Sequence, residues 1–154
     1  MPDEVTYLTP EGKENLEKEL QRLIERRPAL AAKLKEAVAM GDLKENADYH
    51  DTKEQMGMLE GRILDIESIL RHAVVVEKGD NSEVGIGSIV TITEAGTDEK
   101  EVYTIVGAAE ANPREGKISM KSPIGNALLG RKKGDKVTVK TPEGDTVFKI
   151  NKIE

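Results

Sequence analysis

The sequence predicts an α+β protein: an N-terminal antiparallel α-helical coiled-coil hairpin followed by a small antiparallel β domain with one short helix. Three observations lead to this fold class. Apolar residues recur every three or four positions in the first half of the 154-residue chain, which is the spacing of a coiled coil. The two apolar runs mirror each other about residue 43. The second half carries ten of the fourteen glycines and short β-branched runs, which are typical of turns and strands.

The hairpin begins at Thr9–Glu11, where an N-cap hydroxyl, a proline and a first-turn acid form a helix start signal. The apolar positions that follow pair off about residue 43, as Ala37 does with Tyr49. An antiparallel hairpin would bring each such pair into one layer. Two helices of a compact bundle are the alternative, but no third helix is available to complete it. We therefore expect one hairpin over residues 9–74, with its turn within Gly41–Asn46.

The second half is predicted to form strands joined by glycine-containing turns. Alternation of apolar and polar residues is visible in Ile89–Thr93, the pattern of a half-buried strand. Ser122-Pro123 is predicted to open a short helix that Gly130 closes. The expected strands are Val74–Glu77, Ser88–Glu94, Glu101–Val106, Lys117–Lys121, Lys136–Thr141 and Thr146–Ile153. The predicted divisions are a hairpin over residues 1–75 with an acidic tip at 41–46, a linker and first loop over 76–87, and a β-rich domain over 88–154.

Composition excludes several classes of protein. The chain has no cysteine, so disulfide scaffolds and thiol catalysis are ruled out. Its two histidines, His50 and His72, are far apart in sequence, which disfavours a histidine-rich metal site. No apolar run approaches the length of a membrane span. The stretch Met1–Val5 is acidic and lacks the regions of a secretory signal, so we expect a cytoplasmic protein without membrane contact. The net charge of −6 argues against loose binding to duplex DNA.

The predicted fold-back is strongly acidic. Residues 41–54 carry five acids against two lysines. Asp42 and Glu45 have the spacing of a capping box, with Asp42 as the N-cap of the second helix, and Asn46 is an alternative cap. A second interpretation is functional, because two carboxylates at the end of a long arm can complete a Mg²⁺ site that a partner half supplies. Leu43, an apolar residue on an exposed turn, also indicates a contact.

The segment Gly41–His50, with the sequence GDLKENADYH, resembles the tip motif of the bacterial transcript cleavage factors, the Gre family. The resemblance extends over the whole chain. Further matching segments are Arg26–Pro28, Glu60–Ile63, Ser122–Ile124 and Val139–Gly144. The motif coincides with the fold-back that the mirrored apolar pattern predicts independently.

The resemblance implies a function at RNA polymerase. In this family the coiled coil enters the secondary channel of the bacterial enzyme, where backtracking has extruded the RNA 3′ end. By motif position, Asp42 and Glu45 would be the catalytic pair, holding a second Mg²⁺ shared with the polymerase and helping to position the attacking water. The polymerase would supply the other metal, so that the factor is not itself an enzyme and binds no Mg²⁺ alone. The C-terminal domain, residues 88–154, would be FKBP-like and dock on the polymerase.

Other residues near the tip complete the expected site. We expect contacts to RNA or polymerase from Leu43, Lys44, Asn46, Tyr49 and Lys53, although ordinary solvated lysines are an alternative for Lys44 and Lys53. The mirrored layers favour a monomer over pairing between chains. Two other functions remain open: a secondary-channel inhibitor of RNA polymerase with the same fold, and a coiled-coil clamp or chaperone whose tip acids only cap helices. The intact Asp-x-x-Glu pair favours stimulated cleavage.

Overall fold

The structure is a computed structural model that describes residues 5–154. Residues 1–4 lie outside this description, and with them most of the stretch Met1–Val5 that is predicted not to be a secretory signal. Lys13–His72 form one compact unit, and residues 5–12 form a second unit together with Ala73–Glu154. The elements, in chain order, are β1 (Thr6–Leu8), α1 (Pro10–Ala39), α2 (Ala47–Arg71), β2 (Ala73–Val75), β3 (Ile89–Glu94), β4 (Lys100–Val106), two 3₁₀ turns (Ala108–Glu110 and Pro113–Glu115), β5 (Lys117–Ser119), α3 (Pro123–Leu128), β6 (Lys136–Thr141) and β7 (Gly144–Ile153).

The α+β class is confirmed, and the two long helices have the predicted apolar seam. Each of the mirrored layers contains at least one buried residue. Ile63 and Ile66 are 1% and 0% exposed, and Leu30, Leu59 and Ile63 form the centre of the seam. Because α1 is 30 residues long, it spans about 45 Å at 1.5 Å per residue. Of the helices within residues 5–154, none is both long enough and apolar enough to span a bilayer.

Arg27 occupies the position where the apolar pattern of α1 skips a residue. Its Nε lies 3.1 Å from Oε1 of Glu60 on α2. A second contact joins its Nη2 to Glu60 Oε2 at 3.4 Å. Arg27 and Leu59 lie at equal distances from residue 43 and share one layer. This layer thus combines a buried leucine with a half-exposed ion pair, and the sequence pattern did not predict the ion pair.

Glu19 and Arg62 form a second ion pair between the helices. Arg62 donates from Nε and Nη2 to the two Glu19 carboxylate oxygens, at 2.8 and 2.9 Å. This hydrogen-bonded guanidinium holds the pKa of Glu19 below its usual value of 4.5. A lowered carboxyl pKa means that the pair stabilises the fold above pH 4.5 and that this contribution disappears as the pH falls through the lowered value.

Arg62→Gln is therefore expected to destabilise the hairpin by about 0.5 kcal/mol at pH 7, because the pair is largely exposed. The difference from the parent protein should shrink as the pH falls below 4.5 and through the lowered pKa of Glu19. Urea unfolding followed by circular dichroism at several pH values measures both quantities. Arg26→Gln removes an exposed arginine from the same hairpin and should leave the pH dependence unchanged. A constant difference between Arg62→Gln and the parent at all pH values would contradict the assignment.

The second unit is built on a five-stranded sheet of order β5-β4-β3-β7-β6. One face packs against α3 and forms the core, whose fully buried members include Ile92, Ile105, Leu128 and Ile150. Ser122 caps α3 by accepting a hydrogen bond from the Gly125 backbone N–H, as the sequence predicts. On β3 and β6, buried apolar residues alternate with more exposed ones and contribute to this core.

The sheet is mixed, which corrects the prediction of a purely antiparallel domain. β5 runs parallel to β4, with Thr104 opposite Lys117. The two 3₁₀ turns between these strands carry the chain back to the level of Thr104, so that β5 runs beside the last three residues of β4 in the same direction. Within the predicted linker and first loop, Val84 is 2% exposed and belongs to the core of this unit.

A strand that the sequence did not predict begins the described chain. β1 pairs in parallel with β2, and Tyr7 lies opposite Val74. Thr9 then caps α1, because its Oγ1 accepts a hydrogen bond from the Gly12 N–H at 2.9 Å. The Glu110 carboxylate accepts from both the backbone N–H and the hydroxyl of Thr9. Residues 5–12 therefore fold with the C-terminal unit, although the sequence grouped them with the hairpin.

Candidate functional site

The tip of the hairpin is the connection Met40–Asn46 between α1 and α2. Three backbone hydrogen bonds define its course, and the last of them joins Glu45 N–H to the Asp42 carbonyl at 3.1 Å. Gly41 has φ +77° and Asp42 has φ +48°. Asp42 is the one non-glycine residue with positive φ within residues 5–154. Aspartate and asparagine enter this left-handed region more readily than other side chains, so the turn geometry itself favours a short polar residue at position 42.

Asn46 holds this turn together. Its Nδ2 donates to the carbonyl of Ala37 at 2.9 Å and to that of Gly41 at 3.3 Å. Its Oδ1 accepts the Tyr49 backbone N–H at 3.1 Å, which makes Asn46 the N-cap of α2. One side chain thus connects the end of α1, the turn and the first turn of α2.

The position of this cap decides between the two capping alternatives. α2 begins at Ala47, so Asp42 lies too far upstream to cap it, and the capping-box interpretation of Asp42 and Glu45 is wrong. Both carboxylates are exposed. Within residues 5–154, neither takes part in a side-chain hydrogen bond or an ion pair. The tip therefore presents two unengaged carboxylates, three residues apart, on one tight turn.

Asn46→Ala is expected to destabilise the hairpin by about 2 kcal/mol, because it removes an N-cap and two bonds to carbonyls of the tip. Asn46→Asp should lie between this variant and the parent, since it retains the acceptor for Tyr49 and loses both donors. Chemical unfolding gives the free energies, and faster exchange of the Tyr49 amide would locate the change. Asn15→Ala, at an exposed position on α1, is the control. Equal stability of Asn46→Ala and Asn15→Ala would show that the three bonds do not support the turn.

The remaining predicted contact residues divide into exposed and engaged side chains. Leu43 is 41% exposed, and Lys44 is exposed beside it. Tyr49 is half-buried in the seam, and the Lys53 ammonium lies 5.7 Å from the centre of its ring, within range of a cation–π interaction. Asn46 uses its side chain within the tip. Leu43 and Lys44 are thus the predicted contacts that are free to meet a partner directly.

His50 supports the tip and was not predicted as a site residue. Its Nε2 lies 3.2 Å from the Lys44 carbonyl oxygen, and its ring meets that of Tyr49 edge-on, with centroids 5.3 Å apart. Together these contacts join the turn to α2 outside the seam. The sequence signal was only its place at the end of the recognised motif, because a lone histidine in a charged segment has no distinctive spacing.

The tip offers oxygen ligands for a hard cation, but few of them. No group of three or more potential metal-binding side chains occurs within residues 5–154. Asp42 and Glu45 together supply two carboxylates. Mg²⁺ is typically bound through one or two carboxylates and retains other oxygen ligands from water or substrate phosphates. The donor set therefore fits a metal whose other ligands come from outside this chain.

The fold and tip define a two-unit protein that presents a pair of carboxylates at the end of a helical hairpin. Residues 6–75 match the family model of the N-terminal domain of transcription elongation factors GreA/GreB, and residues 79–154 match that of their C-terminal domain. The chain belongs to the GreA/GreB family of transcription elongation factors, which confirms the resemblance found in the sequence.

Individual relatives agree with the family models. Transcription elongation factor GreA of Roseiflexus sp. (strain RS-1) is 47% identical, with both chains fully covered. GreA of Streptococcus gordonii is 48% identical over 98% of this chain and 97% of its own length. Among solved structures, GreA factor homolog 1 (Gfh1) of Thermus thermophilus is 33% identical, covers 98% of this chain and 99% of its own, and superposes with a TM-score of 0.47.

Proposed function

We propose that this protein is a monomeric cytoplasmic factor that inserts its hairpin into the secondary channel of bacterial RNA polymerase and stimulates cleavage of backtracked nascent RNA. The observation that carries the proposal is the pair of exposed, unengaged carboxylates, Asp42 and Glu45, on the tip. Asn46 meets the capping requirement of α2, so neither carboxylate is needed as a helix cap. In this proposal the C-terminal unit docks on the polymerase.

Asp42 and Glu45 would each contribute an oxygen ligand to a Mg²⁺ ion at the polymerase active centre. Bound there, Mg²⁺ supplies charge stabilisation to the attacking and leaving oxygens of a phosphodiester. The second oxygen of either carboxylate would be free to accept a hydrogen bond from the attacking water and orient it toward the phosphorus. Leu43 and Lys44 would contact the RNA or the channel wall, whereas Asn46, Tyr49 and Lys53 keep the tip in shape and add contacts from its side.

In this proposal the factor completes the hydrolytic site of the polymerase and does not cleave RNA by itself. Two carboxylates are too few ligands to hold Mg²⁺ tightly. The tip lies on rigid helical elements, and the Asn46 bonds fix its backbone before binding. Asp42 and Glu45 would therefore lose little conformational entropy when the complex forms, which favours the correctly oriented complex.

The test uses purified elongation complexes that have been stalled and backtracked, with the RNA labelled at its 3′ end. Adding the protein with Mg²⁺ should release short labelled fragments and restore extension when nucleotides are supplied. The protein with free RNA and no polymerase should release none. Slower elongation without fragment release would overturn the proposal and support the secondary-channel inhibitor, and no effect on the polymerase would support the clamp or chaperone.

A further inference from the structure

The face of the five-stranded sheet opposite the core carries three lysines in one row. Ile92 of β3 lies in the core, so its neighbour Thr93 lies on the other, outer face. Thr93 pairs with Lys100 of β4 on one side and with Lys149 of β7 on the other. Lys149 in turn pairs with Lys136 of β6. These four residues, here called the lysine row, cross four adjacent strands.

The lysine row carries positive charge that the neighbouring side chains do not balance. Lys149 and Lys136 are directly opposed on adjacent strands, an arrangement in which like charges destabilise a sheet. The next pair on the outer face of these two strands is Thr138 with Val147, and it carries no charge. Within residues 5–154, none of the three lysines belongs to an ion pair. A ligand with several negative charges would therefore relieve the repulsion between Lys149 and Lys136.

The lysine row lines a hollow of about 650 Å³, a size within the range of small-molecule sites. The turn between β3 and β4 borders the hollow on one side. Thr93 and Asn151 are half-buried in it, and Asn151 Nδ2 donates a hydrogen bond to the Thr93 hydroxyl. Because this hydroxyl oxygen already accepts a hydrogen bond, its own hydrogen can be donated to a ligand.

The acids beside the hollow leave it positively charged. Glu94 and Asp98 both border it. Glu94, however, pairs with the core residue Phe148, so its position on β3 belongs to the face away from the lysine row. Three lysines thus stand against Asp98 on the outer face, which favours an anionic ligand.

We propose that the lysine row binds a chain of linked phosphates carried by a small molecule. Four positions at the strand spacing of about 4.8 Å extend over about 14 Å. A single phosphate could contact only neighbouring members of such a row, whereas a chain of phosphates can contact all of them. Lysine ammonium groups bind phosphate as point charges, and the Thr93 hydroxyl would donate a hydrogen bond between them. This binding site goes beyond the role proposed for the tip.

Inorganic polyphosphate and the triphosphate tail of a nucleotide share this chemistry. Tyr103 and Phe148 pack with the core on the other face, so neither ring is placed for a base to stack on it at the lysine row. The phosphate chain alone should therefore supply the binding energy. Tripolyphosphate and ATP are expected to bind with similar affinity.

The test measures binding of inorganic tripolyphosphate to the full-length protein by isothermal titration calorimetry at low salt. The parent protein should bind it, and should bind orthophosphate far more weakly. The double variant Lys136→Gln/Lys149→Gln should bind tripolyphosphate about tenfold more weakly, the loss expected for two exposed charge pairs. Lys33→Gln/Lys35→Gln makes the same change in net charge at exposed positions of α1 and should weaken binding less than about twofold.

Three outcomes would overturn the proposal. Tripolyphosphate may not bind the parent protein at all, or both double variants may weaken binding equally, which would show attraction by net charge alone. Tighter binding of a single-stranded oligonucleotide of equal charge, dependent on Lys136 and Lys149, would make the face a nucleic-acid surface.

Two further measurements identify the ligand and its place. Equal affinity for ATP and tripolyphosphate supports a free phosphate chain as the ligand, and tighter binding of ATP that is lost in Lys136→Gln/Lys149→Gln supports a nucleotide. Amide NMR of the unaltered protein avoids any folding defect of the variants. Shifts confined to β3, β4, β6, β7 and the β3–β4 turn on adding tripolyphosphate support the proposal, and shifts elsewhere contradict it.

Discussion

Asp42→Asn and Glu45→Gln are each expected to lower the rate of stimulated RNA cleavage roughly 100-fold, which corresponds to about 2.7 kcal/mol in the activation barrier. Each change replaces a charged oxygen ligand with a neutral amide of the same size. Asparagine also tolerates the left-handed backbone at position 42, where φ is +48°, so the turn should be preserved. The assay is fragment release from backtracked complexes at saturating factor, and the concentration of factor that gives half the effect reports binding separately.

Magnesium titration makes this prediction specific to a ligand role. If the acids hold Mg²⁺, the two variants should need more Mg²⁺ than the parent for half-maximal cleavage. Glu54→Gln is the matched control, because Glu54 is an exposed acid of the same hairpin and its neutralisation changes the net charge equally. Cleavage at the parental rate with both tip variants, or an equal loss with Glu54→Gln, would exclude the proposed roles of Asp42 and Glu45.

Ile63→Ala should destabilise the hairpin by about 3 kcal/mol, the cost of a truncation that leaves a cavity in a packed seam. Ile63 is 1% exposed and packs with Leu30 and Leu59. Its neighbour Leu64 is 65% exposed, so Leu64→Ala removes a side chain of similar size from solvent and should change stability by less than about 0.5 kcal/mol.

Urea unfolding monitored by helical circular dichroism measures both variants. Hydrogen exchange adds the location, because Ile63→Ala should accelerate exchange in α1 and α2 and leave β3 and β7 protected as in the parent. Similar losses for Ile63→Ala and Leu64→Ala would contradict the seam described here, and loss of protection in β3 would show that the two units unfold together.

The hairpin could be predicted because its apolar pattern repeats along both helices. Each layer pairs residues such as Leu30 and Met56 at equal distances from residue 43, and a periodic pattern tolerates an exception such as Arg27. The strands with regular alternation, β3 and β6, were predictable for the same reason. By contrast, β1 has only three residues, and its partner β2 lies more than sixty positions later in the chain. No local sequence pattern therefore predicts this strand. The parallel pairing of β5 depends on two 3₁₀ turns that lack a strong sequence signature.

At the tip, the sequence identified Asp42 and Glu45 but left their structural role open. Asp42 and Asn46 are both good N-cap residues, and local spacing cannot choose between them. The choice depends on the carbonyl of Ala37, which lies within reach of Asn46 only once the two helices have folded against each other. The contribution of His50 likewise depends on the Lys44 carbonyl, a contact set by the turn and not by side-chain spacing.

The parallel pair β1 and β2 makes the hairpin an insertion within the C-terminal unit in terms of chain topology. The chain leaves that unit after Gly12 and re-enters it at Ala73, and these two ends are held by adjacent strands. A fragment beginning at residue 76 would therefore lack two strands of its own unit. Conversely, exchanging residues 13–72 for the hairpin of another family member would leave β1, β2 and the sheet intact. The hairpin can therefore be replaced as a unit while the rest of the protein keeps its fold.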